Sequence, residues 1–96
     1  MDFQTLKNDL ETTFAQLLDN TSHGEMPQKE VVDNFVRLCR MLQNQAYDDW
    51  AGEAEDFAHM AVKLQQAVKR KELQEAVMIV ESLDAAKDYC HRMFSM

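Results

Sequence analysis

Ninety-six residues carrying a formal charge of −7, from 17 acidic against 10 basic side chains, can hide only about 60 to 65% of their unfolded surface, enough for one core and one domain over residues 1–96. The negative excess, with no basic stripe, repels polyanions and excludes a nucleic-acid partner. Apolar residues make up 46% of the chain and charged residues 28%, with two glycines and one proline, which excludes disorder and a strand-and-turn fold.

Apolar side chains recur every three or four positions in four segments. In the first, about Asp2 to Asp19, Phe3, Leu6, Leu10, Phe14 and Leu17 share one face. Thr21 to Met26 reads as a loop. Pro27 reads as the first-turn residue of a second helix that runs to about Gln45 and aligns Val31, Phe35, Leu38, Cys39 and Leu42. Ala46-Tyr47 marks the next turn. The third segment, about Asp48 to Arg70, sets Trp50, Ala54, Phe57, Ala61, Leu64 and Val68 at heptad steps, and the solvated run Lys69-Arg70-Lys71 suits a helix C-terminus. The fourth, about Glu72 to Phe94, aligns Leu73, Ala76, Val77, Val80, Leu83, Cys90 and Phe94, with Glu72 and Glu75 in its first turn. No glycine or proline separates segments three and four, so a continuous long helix is the rival there.

Four amphipathic segments joined by short loops predict an all-α, antiparallel up-down-up-down four-helix bundle. This topology brings Leu6, Leu10, Leu38, Cys39, Leu42, Trp50, Ala54, Phe57, Cys90 and His91 toward one end. The start of the chain shows no signal-peptide pattern and no run approaches the roughly 18 apolar residues of a membrane span, so the expected location is cytoplasmic. Two cysteines without a CxxC give no disulfide framework or structural zinc site, and free thiols are expected; coupling of Cys39 to Cys90, on diagonal helices, is a minor reading.

Asp56-x-x-His59 and Asp88-x-x-His91, with Glu11 and Glu30, have the composition of a di-iron carboxylate site, but His59 projects about 180° from the Trp50/Phe57/Leu64 seam and so faces solvent. His23 lies beside no nucleophile, and no Ser/His/Asp arrangement or phosphate loop occurs, so the chain is read as non-enzymatic. The seven methionines read as gap fillers and surface residues. On the fourth helix, Lys87 falls in the middle of the inward stripe, with His91 about 40° to one side of it and Cys90 about 60° to the other. An inward imidazole beside an inward thiol could serve a metal or cofactor.

The stretches Asp56-Phe57-Ala58-His59, LQQAVKRKELQEAV and Ala85-Ala86-Lys87-Asp88-Tyr89-Cys90-His91-Arg92-Met93-Phe94 resemble the last two helices of cytochrome c′ and of the related soluble four-helix cytochrome b. The chain looks most like a short bacterial group named for an incomplete XXXCH motif. The resemblance implies that His91 matches the haem-iron ligand, Cys90 the second thioether cysteine, Lys87 the position of the missing first cysteine, and Leu10, or Leu6, the far-side ligand position. With Lys87 in that place a two-bond haem attachment is out of reach, and any bound haem would be five-coordinate under an aliphatic lid. The expected function is therefore that of a non-enzymatic bundle with a degenerate haem-attachment motif, without cofactor, in a binding or interaction role toward a protein partner yet to be named, as monomer or homodimer. The alternative is a working haem protein for electron transfer or gas sensing, with His91 as proximal ligand.

Overall fold

The computed structural model describes residues 2–46 and 50–94, with the side chains of residues 89–94 outside that description. Four α-helices follow in order, α1 (Phe3–Ser22), α2 (Lys29–Gln45), α3 (Ala51–Lys69) and α4 (Leu73–Phe94), and no strand occurs among the described residues. Each helix packs on its sequence neighbours, α1 also meets α4, and the diagonal pairs do not pack, which is an antiparallel four-helix bundle. The radius of gyration of 12.6 Å matches the about 12.5 Å of a fully collapsed chain of this length.

Asp2 caps α1. Its carboxylate accepts the Thr5 backbone N–H at 2.8 Å and the Thr5 hydroxyl at 3.2 Å, and these bonds, the backbone one foremost, hold the carboxyl below its usual range. The helix runs three residues past the expected Asp19. Thr21 and Ser22, read from sequence as loop, instead donate their hydroxyls back to the carbonyls of Leu17, at 3.1 Å, and Asp19, at 3.0 Å. The true stop is Gly24, at φ +69, where the N–H of Gly24 reaches the Thr21 carbonyl and that of Glu25 reaches the Asn20 carbonyl, a Schellman closure.

Pro27 is not a first-turn residue. Gln28 is the N-cap of α2, and Pro27 precedes it, fully buried. This is the position from which an apolar residue staples against the fourth helical residue, here Val32, itself buried. The buried face of α2 is broader than expected and adds Val32 and Val36 to Phe35, Leu38, Cys39 and Leu42, while Val31 is only partly covered. Between α2 and α3, Gln65 donates to Asp33 at 2.8 Å, and within α2 Lys29 pairs with Asp33 at 3.2 Å; the Gln65 bond first, then Lys29, keeps the Asp33 carboxyl low.

Ala46 is the C-cap of α2 as expected; the expected turn residue Tyr47 and a third helix starting at Asp48 lie outside the described residues. The buried stripe of α3 is rotated from the expected seam. Ala54, Ala58, Ala61, Leu64 and Ala67 are buried, whereas Trp50, Phe57 and Val68 are only partly so. The reason is lateral. With α2 on one flank and α4 on the other, the alanines admit both neighbours at close approach, and the larger residues between them keep partial solvent contact.

Helix α3 ends in a second Schellman closure, and the long-helix rival is thereby excluded. The N–H of Lys71 reaches the Val68 carbonyl at 3.1 Å, that of Glu72 reaches Ala67 at 2.9 Å, and Lys71 holds φ +59. Lys69, Arg70 and Lys71 are exposed, as expected of a solvated helix end. On α4, Ala76, Ile79, Val80 and Leu83 are buried; Leu73, expected inward, is 36% exposed in the first turn, and Ile79 takes a core place the sequence stripe omitted. A lysine in the left-handed region pays a steric cost that glycine does not, so Lys71→Gly should stabilise the fold by about 1 kcal/mol. Denaturant melts of the two proteins, with a higher midpoint for the variant, check this.

Candidate functional site

Of the residues singled out by the sequence, Lys87 lies at the seam between α1 and α4, which is the least extensively packed of the four neighbouring pairs. Lys87 is the side chain that bridges it. Its stem is partly buried and its ammonium lies 5.5 Å from the centroid of the Phe14 ring, a cation–π contact from α4 to α1. Phe14 is 4% exposed and also meets Phe35 of α2, with ring centroids 5.8 Å apart. Among the described residues, no carboxylate lies within ion-pair distance of Lys87. The inward direction expected for Lys87 is thus observed, and its terminal amine stays against Phe14.

The Lys87–Phe14 contact also fixes the register of two antiparallel helices. One turn back along α1 from Phe14 is Leu10; one turn on along α4 from Lys87 is His91. The helical turns that carry Leu10 and His91 are therefore level. The side chains of Cys90 and His91 lie outside the described residues.

At this level some apolar positions are less covered than their counterparts nearer the two Schellman turns, while Leu38, Cys39 and Ala58 stay buried. On α1, Leu17 and Phe14 are buried, but Leu10 is only partly covered; on α3, Leu64 is buried, but Phe57 and Trp50, one and two heptads earlier, are not fully covered; on α4, Val80 and Leu83 give way to the partly buried Lys87. A second apolar cluster does close part of this end. It joins Leu6 of α1, Leu38 and Leu42 of α2 and Ala54 of α3, with Leu10 and Trp50 against it, and includes no described residue of α4. Of the residues expected to meet here, Cys39 and Phe57 belong to the larger cluster instead.

The remaining reactive groups are separate from the seam. Cys39 is a free thiol, 1% exposed, and burial pushes its pKa up to about 12, so it stays protonated and inert; it lies on α2, which does not pack on α4. Asp56, His59, Glu11 and Glu30 are all exposed, and no group of three metal-ligating side chains occurs among the described residues. His23, the C-cap of α1, sets its ring Nδ1 2.7 Å from the Asp19 carbonyl oxygen and 3.6 Å from the Asp19 carboxylate. The backbone carbonyl chiefly, and the carboxylate charge next, raise its pKa above 6.5. Two surface grooves, one along Thr12, Gln16 and Asn20 and one along Lys63, Arg70 and Glu75, hold no cysteine or histidine.

No protein-family model, curated protein or solved structure matches the chain. The site must therefore be judged on its own chemistry. Two thioether bonds need a Cys-x-x-Cys-His run, and a lysine, Lys87, stands three residues before Cys90, so a doubly tethered haem does not fit these residues. Sequence reasoning identified Lys87 as inward but missed Phe14 as its partner; the available signal was the antiparallel register, which sets an aromatic of the first helix opposite the lysine of the fourth.

Two outcomes follow from the local electrostatics. In a Cys90→Ser protein, a chromogenic thiol reagent should label Cys39 at once in denaturant but only at the rate of structural opening in the native state; prompt native labelling would contradict its burial. Because the His23 pKa is raised on folding, its stabilising contribution is complete below about pH 6.5 and is lost as pH rises through the folded value. The stability difference between wild type and His23→Gln should thus be larger at about pH 5.5 than at about pH 8.5.

Proposed function

We propose that this chain is a non-enzymatic, cytochrome c′-like bundle of the XXXCH type, which keeps the scaffold and the Cys90-His91 pair of a haem site in degenerate form and serves in binding or interaction. The observation that carries this reading is the position of Lys87. It occupies the first-cysteine place of the resemblance, and its ammonium rests on Phe14 across the seam between α1 and α4, one turn from the level of Leu10 and His91. An amine held there supplies no thioether bond, and its stem competes with a flat cofactor for the same space.

A second reading, a working haem protein with His91 as proximal ligand, draws support from the incomplete cover of Leu10 and Phe57 at that level. Titration of the purified protein with haemin separates the two. On the degenerate reading, wild type gives no saturable Soret band at equimolar haemin; a band that saturates and disappears in His91→Ala would establish the other. Lys87→Cys recreates a Cys-x-x-Cys-His sequence ending at His91, and when matured in an oxidising compartment with the haem-attachment machinery it should gain a covalent haem. Failure of that variant to take up haem while remaining helical would remove the haem ancestry altogether.

A further inference from the structure

A groove of about 210 Å³ lies beside the turn between α3 and α4, lined by Lys63, Gln66, Ala67 and Arg70 on the α3 side and by Glu72 and Glu75 on the α4 side. Its two walls carry opposite charge. Arg70 is the C-cap of α3 and Glu75 lies in the first turn of α4, where each complements its own helix dipole, so cations and carboxylates are sorted to opposite sides. The backbone holds this arrangement. The N–H groups of Arg70 and Glu72 reach the carbonyls of Gln66 at 3.0 Å and Ala67 at 2.9 Å, and this closure sets the two walls relative to one another. Ala67, 4% exposed, gives the groove a small apolar floor.

The four charges do not satisfy one another. Among the described residues, the ion pairs within 4.0 Å are His23 with Asp19 and Lys29 with Asp33, and none joins Lys63 or Arg70 to Glu72 or Glu75. We propose that this groove binds a free α-amino acid with a short side chain, its carboxylate toward Lys63 and Arg70 and its ammonium toward Glu72 and Glu75. Charge complementarity selects this occupant. A simple anion would meet two carboxylates on the far wall and a simple cation would meet an ammonium and a guanidinium, whereas a zwitterion is attracted by both walls. Size narrows the class further. The volume falls below the about 300 Å³ at which sites for drug-sized ligands begin, which suits a ligand of a few heavy atoms. The side chains are exposed, and exposed ion pairs are individually weak, so the affinity belongs in the millimolar range. The groove is at the opposite end of α4 from Cys90-His91, and the inference stands apart from the haem ancestry.

The experiment follows backbone amide shifts while the protein is titrated with L-alanine, with N-acetyl-L-alanine, which lacks the ammonium, and with L-alaninamide, which lacks the carboxylate. Wild type, Arg70→Gln, Glu75→Gln and Glu81→Gln are compared, with circular dichroism to verify that each remains helical. Glu81 is exposed on α4 outside the groove, and its change alters the net charge as Glu75→Gln does. Saturable L-alanine shifts at Gln66, Arg70 and Glu75 of wild type, about tenfold weaker binding of each one-charge analogue, and about fivefold weaker binding of L-alanine in both groove variants but not in Glu81→Gln support the site. No saturable shift with L-alanine up to about 100 mM would overturn it. Equal binding of either analogue, unchanged binding in both groove variants, or shifts confined to other faces would overturn it as well.

Discussion

The close lateral packing of α3 is the constraint on which the rest of the molecule depends. Four small residues, Ala54, Ala58, Ala61 and Ala67, let α2 and α4 approach its two flanks, and the Asp33–Gln65 bond fixes its alignment with α2. Once α3 is held from both sides, α1 and α4 take the outer places. They meet across the least extensively packed of the four seams. Replacing any of those alanines by a larger residue would push the neighbours apart and alter this seam at a distance.

The consequence for function is an uneven bundle. One end is closed by two Schellman turns, whereas at the other Leu6, Leu38, Leu42 and Ala54 are buried beside a partly covered Leu10 and Trp50. The lysine at this level is the decisive side chain. It fills space, brings a positive charge into an acidic protein and touches an aromatic ring of the opposite helix.

Four helices and their order were legible because a 3.6-residue period over 17 to 22 residues admits little else. What the period could not supply was the choice between neighbouring apolar positions. At Phe57-Ala58 both fit a stripe, and only the presence of two flanking helices decides that the alanine is buried and the phenylalanine less so. Likewise Lys71 carries no sequence mark of a left-handed residue, since the turn is imposed by two helices that must each bury a face. For the site, the angle of Lys87 could be read from one helix. Its contact with Phe14 could not, because that depends on the relative height of two helices separated by fifty residues of chain.

The position of Trp50 has a consequence for how this protein will look in solution. It is the only indole in the chain, and it sits at the loosely covered end, against Phe3 of α1 with ring centroids 5.9 Å apart. Its emission therefore reports on the cluster of Leu6, Leu38, Leu42 and Ala54 against which it packs. A thermal transition followed by fluorescence and one followed by helical ellipticity need not coincide, and a gap between them would measure the free energy of opening that one end.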